Sequence, residues 1–302
     1  MPKILLLSLF FPWLSFPNLG APVHFFGAAP FPYQLDAPDI TLEMPAELLE
    51  ISGLGFTGDF QQMAALNDEQ GIIYFFDKKT GEIKYSVPFR ESGDYEGVEI
   101  VGNDAWAMKS NGTLYQIHDF AKPSPSVEKY KSFLNSDNDV EGLAYDPKNN
   151  RLLIGCKGKG FDREGTPLNK AIYAFDLATK TVADTPAFLL TLPDLDDFIV
   201  NSGQFDPAEK LERIITAERT EIRFSPSGIA IHPKTGDVYV TSARGNSLLV
   251  LNEKGKILHI EHLKKSLHTQ PEGICFDADG TLYIANEGGD GKPGMVLGFY
   301  PK

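Results

Sequence analysis

The fold this sequence predicts is all-β: a five-bladed β-propeller of four-stranded antiparallel blades. Three observations predict it: a recurring phrase, a strand–turn–strand grammar after each copy, and an early strand with no other home. The phrase is a polar residue, then Gly, then an alternating apolar stretch. It occurs as Ser52-Gly53-Leu54, Glu96-Gly97-Val98, Glu141-Gly142-Leu143, Ser227-Gly228-Ile229 and Glu272-Gly273-Ile274, with glycine intervals of 44, 45, 86 and 45. A period of about 40–45 residues holding four strands marks a propeller blade.

The elements follow in order. Residues 1–22 read as a signal peptide or apolar leader: Lys3 is charged, residues 4–14 are greasy, and Gly20-Ala21 are small. That run is shorter than the roughly 20 residues a bilayer span needs. No integral membrane span is therefore expected, and the chain is expected to be exported to a periplasm, cell surface or extracellular medium. Residues 23–37 are a Phe/Pro-rich lead-in. Phe25, Phe26, Phe31 and Tyr33 keep a second reading open, an apolar arm buried on the fold. Residues 38–302 are expected to form one propeller domain. Residues 39–44 alternate as a strand. In each unit the inner strand leads into a turn such as Asp146-Pro147-Lys148-Asn149-Asn150 or His232-Pro233-Lys234-Thr235-Gly236. Second strands are predicted at 63–66, 105–108, 152–155, 238–241 and 282–285. Third strands are predicted at 72–76, 113–117, 171–175, 247–251 and 295–299.

The 86-residue interval equals two periods, so a sixth blade has room there. The third unit instead uses that length on a long loop over 157–169 and a fourth strand at 187–192. Residues 193–224 lack the blade grammar. They carry Asp206-Pro207-Ala208-Glu209, a helix start with a capping box, and Leu211, Ile214 and Ile215 as its apolar face. The prediction is five blades with one partly helical insertion. The fifth unit ends after three strands, so residues 39–44 are expected to supply its outer strand and close the ring.

Composition narrows the function. Lys+Arg number 28 against 41 Asp+Glu, a net charge of −13, which argues against nucleic-acid binding. Two cysteines exclude a disulfide scaffold and a Cys-based zinc cluster. Cys156 and Cys275 fall on different blades and read as buried small hydrophobes.

The phrases Glu50-Ile51-Ser52-Gly53-Leu54, Asn67-Asp68-Glu69-Gln70-Gly71 and Asp139-Val140-Glu141-Gly142-Leu143 resemble the SdiA-regulated, or YjiK-like, family over roughly residues 38–302. The resemblance implies a five-bladed propeller distantly related to NHL-repeat propellers, and it implies calcium. It supplies no activity, and residues 193–224 and the leader do not match it.

Propeller geometry gathers the loops before the inner strands and those after the second strands at one channel mouth. The predicted metal ligands are Glu96, Glu141 and Glu272, with Ca2+ the predicted ion. Two such carboxylates about 6 Å apart repel by roughly 2.8 kcal/mol at an effective dielectric near 20, which a proton or a cation relieves. Pro271-Glu272-Gly273 also resembles the Pro-[Asp/Asn]-Gly turn that offers a metal ligand in six-bladed hydrolases. The alternative is that Glu before Gly only satisfies backbone donors of neighbouring blades. Further channel-mouth contacts are Glu50, Ser52, Asn67, Asp68, Asp139, Ser227, Arg244 and Glu287. Asn135-x-Asp137-x-Asp139-x-Glu141 lacks the Gly and the final Glu of an EF-hand loop. No Gly-x-Ser-x-Gly elbow is present, and His259-Ile260-Glu261-His262 lacks metalloprotease spacing.

Two functions are expected from this pattern. One is an exported, monomeric calcium-binding propeller acting as a binding or interaction module, with a small molecule or a protein at its channel face. The alternative is a calcium-dependent hydrolase of the lactonase or phosphotriesterase kind, with His268 as base beside a metal-bound water. A deep, partly apolar pocket above the metal favours the hydrolase. A channel plugged by Lys109, Lys157 or Arg244 favours the binding module.

Overall fold

Short runs of β-branched and aromatic residues, broken by Gly, Asp and Asn turns, leave the chain little choice but strands. The computed structural model describes residues 30–203 and 213–302, in which the strands form five antiparallel sheets. Ahead of the first blade lies β1 (Ile40–Glu43). Blade one is β2 (Ile51–Phe56), β3 (Gln62–Asn67), β4 (Ile72–Asp77) and β5 (Ile83–Pro88). Blade two is β6 (Tyr95–Val101), β7 (Asp104–Lys109), β8 (Leu114–His118) and β9 (Ser126–Tyr130). In blade three, β10 (Val140–Asp146), β11 (Arg151–Cys156) and β12 (Asn169–Asp176) are followed by β13 (Thr181–Val182) and β14 (Phe188–Thr191), which share the outer position against β12. Blade four is β15 (Gly228–Ile231), β16 (Val238–Ser242), β17 (Ser247–Leu251) and β18 (Ile257–His262). Blade five is β19 (Pro271–Phe276), β20 (Leu282–Asn286) and β21 (Met295–Phe299), completed by β1 in the register Ile40↔Gly298 to Glu43↔Met295. The expected closure is what the chain does.

The recurring glycine has a steric cause. The inner strands β2, β6, β10, β15 and β19 touch in a closed cycle. A Cβ on Gly142 would stand 2.5 Å from the Ile229 side chain, and one on Gly228 would stand 2.6 Å from the Glu272 carbonyl oxygen. The other three repeat glycines meet the following blade in the same way, and Gly273 returns to Gly53 and Leu54. The repeat is therefore the point at which each blade touches the next.

Apolar side chains are buried in five clusters, one between each pair of neighbouring blades. Residues Phe31–Lys302 form one compact unit. Of the lead-in, Tyr33 and Leu35 are buried between blades four and five, and the Tyr33 hydroxyl donates to the Gly280 carbonyl at 2.6 Å. At these positions the lead-in behaves as the buried arm; Phe25 and Phe26 lie outside the described residues.

The insertion is partly helical, as expected, but its described helix was not the one the sequence marked. Its described helix is α1 (Leu192–Asn201), capped by the Thr191 hydroxyl, which accepts from the Asp194 N–H at 3.3 Å. Pro193 sits at the start, where its missing N–H costs nothing. Leu195 and Ile199, four apart, bury one face against the cluster between blades three and four. The helix start predicted at Asp206-Pro207-Ala208-Glu209, with Leu211, lies outside the described residues. Ile214 and Ile215 are buried as expected, Ile215 in an isolated bridge to Ile222. Both cysteines are free and buried. No helix among the described residues is long and apolar enough to cross a membrane.

Candidate functional site

Bulges aim the site. In blades one, two, three and five the pairing of the inner strand with the second strand slips at the repeat: between Ser52 and Leu54, Tyr95 and Gly97, Val140 and Leu143, and Pro271 and Gly273. A bulge leaves one residue out of the ladder and re-aims its side chain. Glu96 and Glu272 are such residues, and Glu141 stands within the third slip. All three belong to the upper mouth, where the inner strands begin.

Their charges interact. Burial, then the Glu141 and Asp94 charges, push the Glu96 carboxyl up to about 8, while the Ser52 hydroxyl, donating at 3.1 Å, opposes this. Glu272, 6% exposed, is pushed up by burial, then by Glu141 and Glu287. Glu141, 5% exposed, is raised by burial and held back by the Lys157 ammonium, which donates to Oε1. For Lys157, burial favours the neutral amine, but Glu141 and then Glu272 outweigh it and raise its pKa. Glu287 is raised to about 7 by burial, then by Asp68 and Glu50. Asp68 is raised by burial, then by Glu50. The mouth thus concentrates more negative charge than its one close ammonium neutralises.

Four of its buried oxygens have no hydrogen-bond partner among the described residues: Asp68 Oδ1, Glu141 Oε2, Glu272 Oε2 and Asn286 Oδ1. Asn286 ends β20 opposite Pro271, so it flanks Glu272. Orphaned buried acceptors of this kind call for a proton, a water or a cation. No group of three or more His, Cys, Asp or Glu side chains among the described residues is arranged to hold a metal ion by itself. The orphaned set mixes carboxylate and amide oxygens, the hard donors calcium takes alongside backbone carbonyls and water, so the donor chemistry fits that ion.

The other predicted contacts divide. Ser52 and Glu287 belong to the mouth, as their coupling to the glutamates shows. Asp139 takes a left-handed backbone (φ 46°), and its carbonyl accepts from the Lys157 N–H at 2.9 Å. Ser227 donates to the Pro271 carbonyl at 2.6 Å, tying blade four to blade five. Asn67 Oδ1 caps the Glu69 N–H, and the Glu50 carbonyl accepts from Asp68. Arg244 pairs with Glu221 of the insertion at 2.6 Å, and Lys109 lies over the Tyr95 ring. His268 is the correction. It is 0% exposed, its Nε2 lies 3.0 Å from the Leu35 carbonyl, its ring stacks on Phe299, and burial lowers its pKa. A ring sealed between blades and the lead-in meets no solvent water, so it lacks the setting of a general base.

The SdiA-regulated family profile matches residues 33–160 and 203–289, more than half of the chain. The chain belongs to the SdiA-regulated family. The stretch of this SdiA-regulated propeller left between the two matches contains β12, β13, β14 and α1; of residues 193–224, expected not to match, 203–224 fall inside the second match. No curated protein matches it in sequence. Among solved structures it is similar to a gluconolactonase from Xanthomonas campestris, at 13% identity and TM-score 0.49 over 83% of this chain and 72% of that one. It is also similar to a luciferin-regenerating enzyme (12%, TM-score 0.48, 87% and 95%) and to virginiamycin B lyase from Staphylococcus aureus (13%, TM-score 0.44, 82% and 66%). Likeness at this level concerns chain architecture and carries no chemistry.

Sequence reasoning placed Lys157 and Asn286 in the loops of this mouth but gave Lys157 no more than a possible plugging role and assigned Asn286 none. It also passed over Glu99 at the opposite mouth. The signal was present. Two residues after each repeat glycine stand Gly55, Glu99, Ala144, Ala230 and Cys275, one acid among four small residues.

Proposed function

We propose that this SdiA-regulated propeller binds calcium at its upper channel mouth and works there as a binding or interaction module. The observation that carries the reading is the set of buried oxygens without partners on Glu141, Glu272 and Asn286, with Asp68 Oδ1 a fourth at the same mouth. In this reading Glu141, Glu272 and Asn286 hold the ion, and Glu96, steadied by Ser52, adds negative potential beside it. The ion relieves the repulsion among these carboxylates and fixes the loops that carry them. Lys157 and the cation compete for Glu141. The Lys157 ammonium donates to Glu141 at this mouth, which favours a module over a hydrolase. The hydrolase reading also loses its base, because His268 is sealed.

Export of a monomer belongs to the same proposal. Extracellular calcium modules work with dissociation constants on the order of 10⁻⁴–10⁻³ M, which suits a site that must displace its own lysine. The partner at the channel face is a small molecule or a protein. The test is a thermal melt in EDTA, then with calcium restored. At a hundredfold excess over the dissociation constant the fold gains about 2.7 kcal/mol. That gain is expected to vanish in a Glu141→Gln/Glu272→Gln variant. A melt indifferent to every divalent ion sinks the proposal.

A further inference from the structure

The opposite mouth of the channel holds a cleft of about 620 Å³, lined by the far ends of the five inner strands, a size typical of small-molecule pockets. Its existence follows from the repeat. Small residues Gly55, Ala230 and Cys275 line it at the second position after the repeat glycine, and the side chain of Glu99 occupies the equivalent place in blade two. The carboxylate is fixed by backbone: Oε1 accepts from the Ile100 N–H and Oε2 from the Tyr145 N–H, both at 2.9 Å. A carboxylate offers about four acceptor positions, so roughly two remain for a ligand.

Charge balance selects the ligand. The cations on the cleft wall are already engaged: Lys148 pairs with Glu253 at 2.6 Å and Arg151 with Asp146 at 2.8 Å, while Lys234 donates to the Asp279 carbonyl and its charge acts on the Asp279 carboxylate. Glu99 has no ion-pair partner among the described residues. The cleft wall also carries apolar and aromatic side chains, Phe56, Ile274 and Phe276 among them. A lone carboxylate gives a metal ion too few oxygens, and it repels an anion. A positive head on an apolar body satisfies both halves of the cleft, by a charge-assisted hydrogen bond and by contact with aromatic faces.

We propose that the lower mouth is a second binding site, taking an organic amine with an aromatic or apolar body whose ammonium pairs with Glu99. The site is independent of the calcium reading and lies at the other end of the channel.

Calorimetry of the full chain in EDTA tests it, with 2-phenylethylamine against the neutral, near-isosteric 2-phenylethanol. The amine is expected to bind saturably, and about tenfold or more tightly than the alcohol, the margin of one charge-assisted hydrogen bond over a neutral one. Glu99→Gln keeps an amide oxygen for one of the two backbone donors and is expected to erase that preference. Glu141→Gln/Glu272→Gln is expected to keep it. Equal binding of amine and alcohol by the unaltered chain, or no saturable binding of the amine, overturns the proposal without recourse to any variant. Full amine affinity in a folded Glu99→Gln variant overturns it as well.

Discussion

Glutamates at the two mouths of one channel are perturbed by the same cause, loss of water, and differ in what replaces it. Glu141 gains the Lys157 ammonium; Glu99 gains two backbone N–H groups, and burial still pushes it up to about 7. Around Glu99 stand the Gly55 backbone, the Tyr145 N–H and the Cys275 thiol, itself raised by burial and by Glu99. The unfolded chain releases this proton near the ordinary glutamate value, whereas the fold retains it until about pH 7. Glu99 therefore penalises the fold increasingly as pH rises through that window, and least below it. In EDTA the stability of the unaltered chain is expected to fall from pH 5 to pH 8 by more than that of Glu99→Gln. Glu96, Glu141 and Glu272 titrate in both proteins, so the difference between the two curves, read by urea denaturation, isolates Glu99. A second expectation concerns Lys157, whose side chain is partly open to solvent. Lys157→Met leaves Glu141 without its counter-charge and is expected to cost about 1–2 kcal/mol at pH 8 in EDTA. Calcium is then expected to raise the melting temperature of this variant more than that of the unaltered chain, because the competitor is gone.

At the scale of elements, the repeat glycine and the bulge beside it do separate jobs. The glycine lets two inner strands touch; the bulge turns a carboxylate out of the ladder. Gly142→Ala places a methyl group 2.5 Å from the Ile229 side chain. It is expected to destabilise by about 1–3 kcal/mol, the usual range for overpacking, as measured by urea denaturation. The helix of the insertion offers a milder test. Thr191→Ala removes the hydroxyl that caps α1 and is expected to cost about 1 kcal/mol, with α1 amides exchanging hydrogen faster while those of β6 and β7 do not change. Most strands were legible because alternation and turn chemistry are local properties. Helix α1 was not, because Leu195 and Ile199 give a short apolar stripe whose value depends on the groove between blades three and four. The outer edge of blade three was also read too simply: residues 187–192 were expected as its one fourth strand, whereas β13 and β14 share it.

Across the whole molecule, stability is distributed over five blade interfaces and one closure. Deleting residues 1–44 removes β1 and leaves β21 as an open edge with unpaired backbone groups. The shortened chain is expected to melt at lower temperature and to sediment as larger species than the full chain. The sequence by itself determined the blade number, the closure and the position of each inner strand, since a 44–45-residue period and strand alternation are written along the chain. It also placed Glu96, Glu141 and Glu272 at one mouth, because equivalent positions in a ring share one end. Only the tertiary structure decided which neighbours those residues meet: Lys157 on Glu141, the lead-in sealing His268, and Glu99 facing a cleft between small residues. Those outcomes depend on side chains far apart in sequence and on the water that folding removes, and neither has a local signature.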